Sequence, residues 1–327
     1  MDAKKIRKKN ETKKSSIRQR LWTTRSVDLN EQAIEEFVEI CRQAQKNKES
    51  ILINTARHRT AIIGTFNIEW LGGCPYEKPR GKVPKRNKED YKKLAGIIQD
   101  TGTCLMALQE VVTCDALKEI LKHLPGWGYI LSRNINQKVA FIFDRSRVKY
   151  DAGSIVIMKE MADSKTFNYE NLRPPLSVYM KVDNFDCNFI AVHKKSGFNL
   201  NSQSIRYKQC RMMNRWIKAY LENNEDKDLI ILGDYNDMPE SLTLQALREG
   251  DILNFSTGDL KKNEYTNIPH KAIIDHIGVT AVKGGAHEEV KFWTLKTIDE
   301  KKYPGYQKWA SDHKPIFVCV DTEFDND

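Results

Sequence analysis

Ten short apolar segments recur between residues 61 and 320, and many follow one another with no helix between. They are AIIGTFNI (61–68), CLMALQEV (104–111), KVAFIFD (138–144), GSIVIM (153–158), PLSVYMKV (175–182), CNFIAVH (187–193), DLIILGD (228–234), IIDHIGV (273–279), HEEVKFWTL (287–295) and PIFVCV (315–320). Some alternate apolar and polar residues and others are continuous, and all are of strand length. Amphipathic helical patterns occupy only 89–100, 114–123, 202–222 and 240–249. Strands in excess of helices, often consecutive, predict an α+β sandwich with much antiparallel sheet rather than repeated βαβ units. No repeat and no second domain boundary interrupts the series, so 60–322 is expected to be one domain.

What precedes it differs in kind. Residues 1–20 carry nine Lys/Arg against Asp2 and Glu11, a net of +7 that leaves only +2 of the chain's +9 for the remainder. Residues 1–27 thus read as a basic, disordered tail: a solvated segment, or in the sharper reading a phosphate-binding arm. Residues 28–50 place Ala33, Phe37, Ile40 and Ala44 at helical spacing, an amphipathic helix expected to pack on the domain. The basic start has no apolar core behind it and no run is long enough to span a bilayer, which predicts a cytoplasmic protein without membrane contact. The seven cysteines show no C-x-x-C pair or regular spacing, and read as reduced thiols.

The apolar segments end on chemistry. FNIEW carries Asn67, LQEV carries Glu110, and AVHKKSG carries His193. GDYND carries Asp234 and Asn236, IIDHI carries Asp275, and SDHKP carries Asp312 and His313. A lone Asp or His at a strand end is ordinarily just solvated or hydrogen-bonded. Six segments doing so with only Asn, Glu, Asp and His imply strand ends gathered at one sheet edge. Such an inventory offers hard oxygen donors suited to Mg²⁺, Mn²⁺ or Ca²⁺ and poorly suited to zinc. Two histidines near carboxylates add an acid and a base, so a metal, a base for water and hydrogen-bond donors would together serve phosphoester hydrolysis. No G-x-x-x-x-G-K-[ST] cradle is present.

The segments FNIEW, ALQEV, RPPL, AVHKKSG, GDYND, IDHI and SDHKP, in this order over 61–320, resemble the endonuclease/exonuclease/phosphatase superfamily, the deoxyribonuclease I-like proteins. The resemblance implies a four-layered αββα sandwich of two packed mixed sheets flanked by helices. It implies Mg²⁺ (or Mn²⁺) held by Glu110 with Asn67 and Asp312. Asp234 and Asn236 would align and activate water, and His313 paired with Asp275 would form an acid/base unit. His193 would serve the phosphate or leaving group, and Arg173 the substrate phosphate. Lys195, two residues after His193, adds positive charge for the substrate phosphate by its position. One departure is Gln137, which stands where the deoxyribonuclease branch has an acidic residue orienting the first histidine; glutamine accepts a hydrogen bond from imidazole but cannot stabilise imidazolium by charge.

The superfamily's fold leaves the substrate open. The first expectation is a monomeric metal-dependent nuclease acting on nucleic acid, DNA foremost. The basic stretch 78–93 (KPRGKVPKRNKEDYKK) would track the backbone, unless it is only a solvated loop. The alternative is an inositol-phosphate or phospholipid phosphatase or phosphodiesterase, although KAIIDHIGV lacks the tryptophan-plus-arginine setting of the inositol branch. A third reading, an inactive nucleic-acid-binding module, is opposed by the presence of Glu110, Asp234 and His313. Trp70, Tyr76, Tyr235 and Trp309 lie near the motifs and either stack on bases or pack the sheet edge.

Overall fold

A computed structural model describes residues 60–323 except 75–82, 134–136, 169–171, 256, 258–259, 261–263, 296–297 and 299, and also describes Asp325. The basic tail, the helix expected over 28–50, Tyr76 and the first part of the basic stretch lie outside the described residues.

Two sheets form the centre. The first contains β1 (Thr60–Leu71), β2 (Leu105–Val111), β3 (Trp127–Leu131), β4 (Lys138–Asp144), β12 (Val290–Leu295) and β13 (Ile316–Asp321), ordered β12-β13-β1-β2-β4-β3. The second contains β5 (Val148–Tyr150), β7 (Leu176–Val182), β8 (Phe185–His193), β9 (Leu229–Asp234), β10 (Leu253–Phe255) and β11 (Asp275–Thr280), ordered β10-β11-β9-β8-β7-β5, with the two-residue β6 (Val156–Ile157) beside β7. Each sheet is antiparallel except for one parallel pair, β1–β2 and β8–β9. Parallel neighbours need a crossover, and each pair has a helix in it: α1 (Lys88–Asp100) between β1 and β2, α3 (Leu200–Asn223) between β8 and β9.

Both faces of each sheet are covered, which explains the unbroken apolar runs. Alternate residues of β1 and β9 point opposite ways. Ala61, Ile63, Ile230 and Leu232 enter the core between the sheets. Ile62 and Phe66 turn outward onto α1 and onto α2 (Cys114–Leu121), meeting Leu94, Ile97, Leu117 and Ile120. Leu229 and Ile231 turn onto α3 and α4 (Leu242–Leu247), meeting Cys210, Met213, Leu244 and Leu247. The layers are therefore α, β, β, α, as expected.

The expected strand over 153–158 is a correction: residues 152–154 form a 3₁₀ turn and only Val156–Ile157 pair. Asp151 caps that turn by accepting from the Gly153 N–H at 2.8 Å, a local alternative to extension.

Candidate active site

Register brings the polar strand ends together. In the second sheet β9 lies between β8 and β11, with His193 and Asp275 both opposite Asp234. In the first sheet Asn67 pairs with Gln109, one residue before Glu110, and Asp312-His313 immediately precede β13. Asn67 links the sheets: its Nδ2 donates to Asp234 Oδ2 at 2.8 Å and to Glu110 Oε1 at 3.3 Å, while its Oδ1 accepts from the Glu69 N–H at 3.1 Å.

The turn GDYND is built for this place. Gly233 has φ +151°, and a Cβ there would sit 2.0 Å from the Val192 carbonyl oxygen, so the parallel β8–β9 approach requires glycine. Asp234 Oδ1 then accepts the Asn236 N–H at 2.7 Å. Asn236, Glu69, Trp70 and Glu110 all have positive φ, at 54°, 42°, 50° and 62°. Non-glycine residues held left-handed carry backbone strain, and such strain concentrates at functional sites.

His313 and Asp275 form a dyad, Nδ1 to Oδ2 at 2.7 Å. His313 Nε2 faces Asp234 Oδ2 and Asp312 Oδ1, each at 3.9 Å. Asn267, which the motifs did not single out, places its Nδ2 3.1 Å from Nε2, and its Oδ1 accepts from the His270 N–H at 3.1 Å, fixing which way the amide faces. Burial opposes charge on His313, but Asp275, by charge and hydrogen bond, with Asp234 and Asp312, outweighs it and raises its proton affinity well above the ordinary. Asn267 and the carboxylates thus pull in opposite directions. The amide favours a lone pair on Nε2, whereas the acids favour a proton there.

His193 is the opposite case. Its Nε2 lies 3.6 Å from Asp234 Oδ2 and 3.8 Å from Glu110 Oε1. Burial first, then Arg173, His313 and Lys195, depress its basicity well below the ordinary, which disfavours the imidazolium. Its buried Nδ1 has no hydrogen-bond partner among the described residues. Gln137 does not supply one: its Oε1 accepts from Arg173 Nη1 at 2.7 Å.

Three carboxylates line the first-sheet side. Glu110 Oε2 accepts from the Trp70 N–H at 3.1 Å, and Glu69 Oε2 from the Asp312 N–H at 2.9 Å. Burial, then repulsion by Asp312 and Glu110, push Glu69 up to about 8. Burial, with Asp312 repelling and Arg173 opposing, raises Glu110. Across Asn67, burial and Asp275 raise Asp234 to about 7 against the help of His313, Asn67 and the Asn236 N–H. Glu69 was missed, although it lies two residues after Asn67 in the quoted FNIEW. Mutually repelling, partly buried, hard oxygen donors of this kind fit a Mg²⁺- or Mn²⁺-sized cation, which Glu110, Asp312 and, through the Oδ1 that also accepts the Glu69 N–H, Asn67 could hold. Atoms of Asp234, Asp275 and His313 also lie within 4.8 Å of one another. There the short Nδ1–Oδ2 contact already engages the ring, and the trio is better described as a hydrogen-bonded dyad facing a carboxylate.

Other residues hold these in place. Arg173 donates to Gln137, to the His193 carbonyl at 3.3 Å and to the Lys194 carbonyl at 2.5 Å, so the guanidinium expected at the substrate phosphate also ties the end of β8. Lys195 Nζ donates to the Ser196 carbonyl at 2.6 Å, and its charge reaches His193. Arg86, within the basic stretch, donates to the carbonyls of Ile68, Glu69, Trp70, Trp309 and Ala310. It staples β1's end to the loop before Asp312 instead of tracking a backbone. His276 donates from Nε2 to the Asp237 carbonyl at 2.8 Å and meets Thr257 Oγ1 at Nδ1, and burial lowers it to about 4. Tyr235 and Trp309 are buried, so the stacking role weighed for them gives way to packing.

No family model matches the chain, and no curated protein sequence does. Solved structures do. An endonuclease/exonuclease/phosphatase family protein from Bacteroides thetaiotaomicron superposes with TM-score 0.54 at 16% identity, over 81% of this chain and 98% of that one. The chain has the endonuclease/exonuclease/phosphatase fold. D. rerio TDP2 complexed with single-strand DNA product superposes with TM-score 0.57 at 16% identity, over 80% of this chain and 99% of that one. The mannosyl-6-phosphatase of B. thetaiotaomicron does so with TM-score 0.55 at 17% identity, over 80% and 99%.

Proposed function

We propose that the protein is a divalent-cation-dependent phosphodiesterase, a nuclease that hydrolyses the backbone of DNA as a monomer. The observation that carries this reading is the His313–Asp275 dyad opposing Asp234, which Asn67 joins to the Glu110 wall. Asp234, raised to about 7, takes a proton from water near neutral pH, and Asn236 beside it orients the phosphate. His313, held positive by three carboxylates, donates to a phosphate oxygen or the leaving oxygen. His193 donates a hydrogen bond from the other side, with Arg173 and Lys195 adding positive charge. A cation held by Glu110, Asp312 and Asn67 would supply Lewis-acid stabilisation of charge on the phosphoryl group.

The likeness to TDP2 with a single-strand DNA product supports nucleic acid as substrate. The likeness to a mannosyl-6-phosphatase supports a second reading, hydrolysis of a small phosphomonoester. Among the described residues no helix is long and apolar enough to cross a membrane. The test is cleavage of plasmid, linear and single-stranded DNA and structured RNA in Mg²⁺, Mn²⁺ or EDTA, with Asp234→Ala as control. Metal-dependent cleavage lost in the variant supports the nuclease; sugar-phosphate turnover without strand cleavage moves the assignment to the second reading.

A further inference from the structure

An exposed aromatic ring means little by itself. Phe198 differs in how it is mounted. It is 73% exposed, yet its loop is held on both sides. Arg206, itself buried, donates to the carbonyls of Lys195 at 2.9 Å and Gly197 at 2.7 Å, and to Asp237 Oδ2 at 3.0 Å. Gly197 has φ +111°, with no room for a Cβ beside Ser202 Oγ. Asn199 caps α3 by accepting from the Ser202 N–H at 2.8 Å, and Gln203 Nε2 donates to the Phe198 carbonyl at 2.9 Å.

The ring stands beside the site. It makes a T-shaped pair with His270, centroids 5.1 Å apart and planes at 75°. The His270 N–H reaches Asn267 Oδ1, whose amide nitrogen contacts His313 Nε2. On the other flank, Phe198 follows His193 by five residues. Leu200 and Met238, at 83% and 55% exposure, directly follow Asn199 and Asp237, which hold this loop. From His193 to Leu221 the chain has seven Lys/Arg and no Asp or Glu; Lys194, Lys195 and Arg206 are buried, and the remaining four lie along α3.

We propose that Phe198 and His270 form a stacking platform for one nucleobase next to the scissile phosphate, and that the substrate is therefore a single strand or a frayed end. This rests on the reading of the cluster as a nucleic-acid phosphodiesterase. A rigidly mounted ring loses little freedom on binding, bases offer a π-face whatever their sequence, and the basic segment complements the phosphates. A duplex hides its base faces by stacking, so only an unpaired base reaches the ring.

The test is fluorescence anisotropy of labelled single strands in EDTA, where binding is read without cleavage, with wild type, Phe198→Ala and Phe198→Trp. The strands are one sequence, intact or with a single abasic nucleotide at each position in turn. Phe198→Ala is expected to weaken the intact strand about 5- to 100-fold, the worth of one base–aromatic stack. One abasic position should erase that difference, and Phe198→Trp should keep wild-type affinity. An equal loss on every abasic strand, no loss, or no binding of single strands by wild type overturns the platform. So does a Phe198→Ala loss seen only with phosphatidylserine vesicles, which would make the rim a lipid contact. Parallel assays with Mn²⁺ separate the two claims. Base-dependent binding without hydrolysis keeps the platform and removes the nuclease; hydrolysis indifferent to Phe198 and to the abasic position does the reverse.

Discussion

Replacing Asp234 with Asn should destroy activity and, in metal-free protein, raise stability at neutral pH. Asp234 is 1% exposed, and its carboxyl is raised from 3.8 to about 7 even with His313, Asn67 and the Asn236 N–H attracting its charge. A native state with the higher value binds the proton more tightly than the unfolded chain. Ionisation therefore costs nothing below 3.8, grows as pH rises, and is complete above about 7. A shift of about three units at 1.4 kcal/mol each is about 4 kcal/mol. Asparagine has one acceptor where the carboxylate has two, so either Asn67 Nδ2 or the Asn236 N–H loses its partner, costing about 1 kcal/mol. The variant should be more stable by about 3 kcal/mol at pH 8, roughly 6 °C or more in Tm for a domain this size. Thermal and urea unfolding in EDTA from pH 5 to 8.5 would show the advantage shrinking toward acid. A variant no more stable at pH 8, or a gap independent of pH, would refute the argument that the site confines an unfavourable charge.

The other expectations test the supports. Gly233→Ala would place its Cβ against the Val192 carbonyl and should cost more than about 4 kcal/mol or prevent folding, read by expression and circular dichroism. Arg86→Ala should cost about 3–5 kcal/mol through buried carbonyls left unpaired, with Arg86→Lys recovering little. Because Arg86 faces backbone carbonyls, Arg86→Gln, which removes the charge, should leave the salt dependence of nucleic-acid binding unchanged; a flatter slope would return it to a phosphate role. Asn267→Ala should lower kcat about tenfold with little change in KM, since it holds His313, not substrate. An effect confined to KM would place Asn267 on the substrate instead.

Much of this was legible because strand ends announce themselves. FNIEW, LQEV, GDYND, IIDHI and SDHKP each set polar residues directly against an apolar run, and strand register does the rest of the assembly. The missed strands, Trp127–Leu131, Val148–Tyr150 and Leu253–Phe255, are short or mixed with polar residues, and pair through tertiary context rather than pattern. Asn267 and Arg86 sit in loops without periodicity, so nothing local marks their reach to His313 or to β1. Aromatic exposure was equally illegible: Tyr235 and Trp309 adjoin motifs but fall into cores, whereas Phe198 is exposed by the geometry of a loop.

Those gaps share a cause, and it bears on how the site works. Local rules are broken where chemistry is placed: left-handed Glu69, Trp70, Glu110 and Asn236, three raised carboxylates, and a histidine whose buried Nδ1 has no partner among the described residues. Each is unfavourable alone and persists because the surrounding structure fixes it. Asn67 cannot leave Asp234 without also releasing Glu110, and Arg86 holds the carbonyls on both sides of the Glu69–Asp312 contact. The strain is thus shared between the two sheets. A positively charged or proton-donating ligand entering between them would relieve several of these costs at once, so the same residues that weaken the empty fold favour binding at this edge.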